Sequence, residues 1–366
     1  MTIATGRPLG RKGSTIIMMK THIRIGLAAA AALAWAGTAA QAQTITLRVA
    51  DALPNGHIAH QFILRPFMEA VTKATNGQVV FQHFPAEQLG KAKDMLALTQ
   101  TGVADMALTV PSYISDKMPL TAAAELPGAF QTACEAAHAY SRLTREGEIL
   151  ATQEYGANRV RALMSFPIAP SALVVSSSRK VAGLKDLEGL KLRTSGGAHD
   201  LTVRSIGAVP VRMSPPEVYE SMQRGTVDGA LFPLPSIIAY DLTKLIKTAS
   251  STVNFGGIIL SYSINEAKWK ALPPDVQKVV QAEAEKATFE GCKKLDAELD
   301  DSIKKIEGAG GKFIAFSPED AQKLDEVFDV VRKDWAAGLD KRGKPGTPVL
   351  AAWQGAIKAV RDNPNQ

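Results

Sequence analysis

Arg193 ends the run Leu187-Glu-Gly-Leu-Lys-Leu-Arg193, which reads as a strand, and Thr194-Ser195-Gly196-Gly197 follows it before a helix that begins near His199. Ligands of α/β proteins bind outside the C-terminal ends of strands, and two glycines let a ligand come close to the backbone. A guanidinium at such a place can grip a carboxylate through two parallel hydrogen bonds, reinforced by the amides of the helix N-terminus. Arg193, with Ser195 beside it, is therefore the leading candidate for holding an organic anion. On spacing alone, a solvated arginine at a strand end is the competing reading.

No other residues form a catalytic signature. G-x-S-x-G, H-E-x-x-H, C-x-x-C and G-x-G-x-x-G are absent from the sequence. The run from Gly338 to Lys344 has the outline of a phosphate loop, but Pro345 replaces the Ser or Thr that would reach magnesium. It reads as an ordinary loop. His57 and His60 are three apart, a spacing a metal pair can use, yet no Cys, Asp or Glu stands beside them to complete a shell. Capping a helix or lining a cleft is the expected role. Cys134 and Cys292 lie in two separate helical stretches, where two buried or half-buried side chains are favoured and a disulfide is the alternative in an oxidising compartment. No metal, cofactor or catalytic residue is assigned, and a binding protein is favoured over an enzyme.

The 366 residues, 46% hydrophobic and 21% charged, suit two ordinary globular domains. The formal charge of +6 does not mark a nucleic-acid binder. Residues 1–42 hold Arg7, Arg11, Lys12, Lys20 and Arg24 and no acid, so the remainder carries 37 basic against 36 acidic residues. A near-neutral body lacks the field that would steer DNA, RNA or anionic lipid. The same first segment has a basic stretch from Met18 or Met19, an apolar run from Ile25 to Gly37, and Ala40-Gln41-Ala42. That is the pattern of a secretory signal cleaved after Ala42, and the apolar run is shorter than the ~20 residues of a membrane-spanning helix. The mature chain is expected to begin at Gln43, in the periplasm.

Strand, helix, strand is the expected order after Gln43: TITLRVADAL, a helix over about 61–75 closed by Asn76-Gly77, then QVVFQHF. An internal echo extends the plan. Gln100-Thr-Gly-Val-Ala-Asp-Met-Ala-Leu108 and Gln223-Arg-Gly-Thr-Val-Asp-Gly-Ala-Leu231 share Q-x-G-x-x-D-x-A-L. In each, glycine takes a left-handed helix cap and the Asp bonds backbone donors at the entrance of a buried strand. Two such copies suggest two lobes built alike. SSTVNFGGIILSYSINEAKW reads as a long β return to the first lobe, and Pro273 to about Glu307 as one helix of about 50 Å that spans both. GKFIAF and two amphipathic helices complete the chain.

Taken together, KVAGLKDLEGLKLRTSGG, IGAVPVRMSPPEVYESMQRGTVDGALFP, INEAKWKALPPDVQKVV and TNGQVVFQHFPAEQLG resemble the solute-binding proteins of tripartite ATP-independent periplasmic (TRAP) transporters. The resemblance implies a two-lobe α/β periplasmic binding protein that closes over an organic acid and hands it to integral membrane subunits. It places residues 43–168 and 258–297 in lobe I and 169–257 and 298–366 in lobe II. It makes Arg193 the residue that holds the substrate carboxylate, and it implies a monomer with no nucleic-acid partner.

Two departures from the family pattern bear on the ligand. Phe232 stands where V-D-G-x-x-N-P members have Asn, and Leu173 where some carry a second Arg. Both changes replace polar partners with an apolar wall, which points to a monocarboxylate with an apolar or aromatic body. The alternative is a small polar dicarboxylate, with Phe232 and Leu173 in the core. Pro111 and Tyr113 follow the first echo as Phe232 follows the second. His57, Phe166, Asn254 and Phe255 complete the expected lining. A periplasmic enzyme or a sensor's partner acting on the same acid remain the other readings.

Overall fold

The computed structural model describes residues 44–176 and 179–363. The expected export signal and the expected cleavage after Ala42 lie outside these residues.

The first sheet takes β1 (Ile45–Ala50), β2 (Val79–Phe84), β3 (Met106–Thr109), β4 (Val160–Pro167) and β10 (Ile259–Asn265), in the order β2-β1-β3-β10-β4. The second takes β5 (Ser171–Val175), β6 (Lys191–Thr194), β7 (Val209–Arg212), β8 (Gly229–Pro233), β9 (Thr248–Ser250) and β11 (Lys312–Ile314), in the order β11-β9-β5-β8-β6-β7. Both follow one scheme. β2, β1 and β3 run parallel, as do β7, β6 and β8; β10 then lies antiparallel between β3 and β4, as β5 does between β8 and β9.

The helices are α1 (Arg65–Ala74), α2 (Met95–Gln100), α3 (Ala133–Thr144), α4 (Ala198–Ser205), α5 (Val218–Gln223), α6 (Leu234–Ala239), α7 (Glu266–Ala271), α8 (Pro274–Gly308), α9 (Pro318–Asp340) and α10 (Gly346–Asp362).

The echo has the expected physical content. Gly102 and Gly225 take φ of 75° and 71°, which lets α2 and α5 end and the chain turn at once into β3 and β8. Asp105 then accepts the Arg48 N–H of β1 at 2.8 Å, and Asp228 accepts the Lys191 N–H of β6 at 2.9 Å. Each carboxylate stitches an incoming strand to its parallel neighbour before the ladder starts.

Two strands are shorter than the sequence suggests. Gly189 at φ 70° breaks LEGLKLR, so only Lys191–Thr194 forms a ladder. Residues 251–258 belong to neither ladder: Phe255 and Gly256 bond the backbone of Ser171 at the start of β5, Gly256, at φ 112°, turns the chain between the sheets, and the return strand starts at Ile259.

The long helix is one unbroken element of 35 residues, about 52 Å at 1.5 Å per residue. Val276, Val280, Ala284, Cys292 and Leu295 pack into the core of the first sheet, whereas Ile306 packs into that of the second. The tail is shared between the sheets. Leu324 and Phe328 of α9 lie in the core under Leu173 and Leu192, but Trp335 and Leu339 join Trp353 of α10 against α3. Assigning all of 298–366 to lobe II therefore departs from the contacts, since α10 buries its apolar face on the first sheet's side.

Cys134 and Cys292 form a disulfide between α3 and α8, with Cα atoms 4.9 Å apart and a sequence separation of 158. The favoured reading of two packed thiols is thus replaced by the bridged alternative. Both helices lie on the same sheet, and Asp296, one turn past Cys292, accepts the Ala133 N–H at 2.6 Å. The pairing therefore follows from tertiary packing that periodicity alone does not reveal. A loop of this length, once closed, restricts the unfolded chain strongly. Replacing both cysteines by serine, or reducing the bridge, is expected to lower stability by about 2 to 5 kcal/mol in chemical denaturation. Superimposable denaturation curves with and without reductant would show that the bridge contributes nothing.

Candidate functional site

β6 delivers Arg193 and β8 delivers Phe232 to the same face of the second sheet, because Leu192 and Leu231 point into the opposite core. Arg193 is 0% exposed. Its Nε donates to the Met213 carbonyl at 3.0 Å and Nη1 to the Leu231 carbonyl at 3.4 Å, while Nη2 has no hydrogen-bond partner. The guanidinium carbon lies 5.0 Å from the centre of the Phe232 ring, within cation–π range. Burial pulls the guanidinium down from its ordinary value, and the adjacent Tyr113 hydroxyl opposes that pull. Arginine stays protonated regardless. The result is a buried cation whose neighbours are carbonyls and rings, with no carboxylate bonded to it.

The first sheet closes over this group. Tyr113, on the turn after β3, brings its hydroxyl beside Arg193. Further rings surround the cation: Phe232 stands 6.0 Å from Tyr240, edge to face, Tyr240 lies near Arg193 as well, and it stands 5.8 Å from His57 on the loop after β1. At the mouth, a cavity of about 440 Å³ is lined by Tyr113, Ser195 and Met213, with Lys91, Arg212 and Glu217 around the rim.

Glycine is required where the two sides meet. Gly196 has φ 98°, and a methyl group there would fall 2.8 Å from the Ser112 carbonyl oxygen and 2.5 Å from Arg212 Nε. Ser195 is buried, and its hydroxyl bonds His199 Nδ1 at 3.1 Å.

The other expected lining residues divide. His57 caps the following helical turn, since its Nδ1 accepts the Ala59 N–H at 3.2 Å, and it also faces Tyr240. Pro111 is buried at the start of the turn that presents Tyr113. Asn254 braces the turn between the sheets: its side chain donates to the Phe130 carbonyl at 2.5 Å and accepts the Gly256 N–H at 2.7 Å.

Three residues face cores and not the cleft. Phe166 packs against Tyr262 in the first core, Phe255 against Phe316 and Phe328, and Leu173 lies with Leu192 on the sheet face opposite Arg193. Leu173 therefore supplies no wall, and Phe232, itself 1% exposed, packs in the core with Val218, Leu234 and Ile237 while its ring faces the Arg193 guanidinium. Tyr240 and Ser236 were not expected. They follow Phe232 on and just after α6, and no spacing in the sequence announces that this short helix folds back over the site.

Two buried titratable groups sit deeper in. His199 is pushed down to about 3 by burial and the nearby Arg193, and its Nε2 has no partner. Burial pushes Glu125 up to about 8; one of its oxygens accepts the Ile259 N–H at 3.0 Å, and Ser112 lies near but outside hydrogen-bond geometry.

The profile of the family described as "Bacterial extracellular solute-binding protein, family 7" matches residues 49–338. A solute-binding protein of Roseobacter denitrificans is 30% identical over 269 residues, covering 72% of this chain and 80% of its own. The C4-dicarboxylate-binding periplasmic protein of Rhodobacter capsulatus is 26% identical over 277 residues, covering 74% and 80%. Among solved structures, a TRAP solute-binding protein from a marine metagenome, specific for aromatic acid ligands, superposes with a TM-score of 0.79 at 22% identity, over 87% of this chain and 99% of that one.

Stability should fall in acid with a predictable sign. His57 and His199 are held at about 4 and 3 in the fold, below the ordinary 6.5, so protons favour the unfolded chain. Their contribution is complete above pH 6.5 and is lost as pH falls towards those values, by about 3 kcal/mol for each group at pH 4. Chemical denaturation of His199→Gln between pH 7 and 4 is expected to show a shallower loss than the parent. Parallel curves would mean that His199 is not held neutral in the folded protein.

Proposed function

This chain belongs to bacterial extracellular solute-binding protein family 7, the TRAP solute-binding proteins, and on that premise we propose that it captures an aromatic or similarly apolar monocarboxylate and delivers it to membrane transporter subunits. The observation that carries the reading is the buried guanidinium of Arg193, with one nitrogen unbonded and the Phe232 face beneath it. A carboxylate supplies the missing partner in a bidentate or charge-assisted bond, and the rings of Phe232, Tyr240 and Tyr113 take an aromatic body edge to face. The aromatic-acid specificity of the marine metagenome protein supports the same chemistry.

Capture without turnover is part of the proposal: Ser195 Oγ meets His199 Nδ1 at 3.1 Å, but both are buried and the imidazole is held down to about 3, which makes it a weak base for activating the hydroxyl. The division into two lobes that close on the ligand is part of the proposal. Closure excludes water, and the charge-assisted contact is stronger for it.

A small dicarboxylate is the second reading. It is favoured by the C4-dicarboxylate-binding relative and by Lys91 and Arg212 at the cleft mouth, which could meet a second carboxylate.

A thermal-shift screen separates the two. Benzoate or phenylacetate at 100 times its dissociation constant is expected to add about 2.7 kcal/mol of stability, and succinate far less. Stabilisation by succinate and not by the aromatic acids would reverse the order. In calorimetry, Arg193→Ala should weaken carboxylate binding by about 2 to 5 kcal/mol, because it leaves a buried anion unpaired. Unchanged affinity in that variant would remove Arg193 from the site.

A further inference from the structure

Near Tyr113 lies a buried acid that bonds no cation among the described residues. Glu125 ends the short helical segment Leu120–Glu125 and is 1% exposed. It stands between two turns. Its backbone carbonyl accepts the Gly257 N–H at 3.1 Å and its Oε1 the Ile259 N–H at 3.0 Å, so it grips the return turn that joins the sheets. Its Oε2 has no hydrogen-bond partner, and neither has the hydroxyl of Ser112, which lies near it on the turn that carries Tyr113. Ionisation in such a place leaves a buried charge unpaired, so the neutral acid is favoured, and burial pushes Glu125 up to about 8.

Four elements pack on its segment and bring these groups towards it. The turn after β3 brings Tyr113, whose hydroxyl feels both Glu125 and Arg193. α4 brings the neutral His199. Its ring and the Glu125 carbonyl flank Gly256, where a methyl group would fall 3.2 Å from the ring and 2.5 Å from the oxygen. β10 brings the Ile259 N–H, and α10 brings the apolar Trp353 and Ile357. Glu154 holds the far end of the segment, accepting the Leu120 N–H at 2.5 Å and the Thr121 N–H at 2.6 Å, and burial pushes it up to about 7.

We propose that Glu125 is a positioning residue for anion capture: as a neutral acid it donates from Oε2 to Ser112 Oγ and so ties the Tyr113 turn to the return turn while Tyr113 closes over Arg193. Ionised, it becomes an unpaired buried anion near Tyr113 and competes with the incoming carboxylate for the field of the guanidinium. Capture therefore requires the proton on Glu125. This rests on the carboxylate reading above.

Calorimetry with benzoate and with succinate from about pH 7 to about 9.5 tests the coupling. With Glu125 ionising near 8, the competent fraction of the parent falls about 10-fold or more over that range, and the affinity for whichever acid binds should fall with it. Glu125→Gln keeps a donor for Ser112 and an acceptor for Ile259 but cannot ionise, so its own affinity should vary by less than about 3-fold over the same range. A parent profile as flat as that would overturn the positioning role, as would a fall of equal size in both proteins. A second measurement needs no ligand. Above the ordinary 4.5 the unfolded chain has lost a proton that the folded chain still holds, so the parent should lose stability relative to Glu125→Gln from about pH 5 to about 8 in chemical denaturation and run parallel above. Parallel curves over the whole range would overturn the inference and leave the carboxylate reading standing. Failure of both acids to bind a parent that shows the proton linkage would overturn the carboxylate reading, and the role in capture with it.

Discussion

A guanidinium removed from water is the constraint around which the site is arranged. Burying a cation costs several kcal/mol unless its hydrogen-bonding directions are met. Here the Met213 and Leu231 carbonyls meet two of them, and the Phe232 face and the Tyr113 hydroxyl surround the rest. The second sheet can hold Arg193 in this position only because Leu192 and Leu231, its neighbours along and across the strands, turn to the other core. Gly196 must stay without a side chain so that the turn after β3 can close over it. An incoming anion therefore meets a donor already oriented, and little further ordering is needed to bond it.

The two sides of the cleft contribute different chemistry although their sheets share one plan. Charge comes from the second sheet, through Arg193. The first sheet supplies neutral polar groups and ring surface, through His57 and Tyr113. His199 and Glu125, pushed in opposite directions by burial, both favour their uncharged forms near neutral pH. The buried Asp51, which accepts the Tyr262 hydroxyl at 2.7 Å and lies near Tyr240, is the carboxylate on the other side, so an anion is favoured at the guanidinium end.

How far the sequence could be read depended on the range of the interaction. The helix-glycine-strand junctions at Gly102 and Gly225, the long helix from Pro274 and the strand-end placement of Arg193 are fixed by residues within a few positions of one another, and each was legible. Phe166, Leu173 and Phe255 were not, because whether a strand residue faces a cleft or a core depends on its register against neighbours far along the chain. Tyr240 and Ser236 escaped for the same reason, since they reach His57 across about 180 residues. Cys134 and Cys292 looked like two packed thiols until the packing of α3 on α8 brought them within bonding distance.

The 35-residue helix that shares both cores also limits how the molecule can open. If the sheets were joined only by the chain turns near Gly256 and between β4 and β5, they could swing apart like pages. Any separation must instead flex the rod between Leu295 and Ile306 or slide it out of one of the cores, and a close-packed interior resists sliding. The rod then acts as a leaf spring: bending it costs packing in one core or the other, and its recoil restores the arrangement in which both cores are filled.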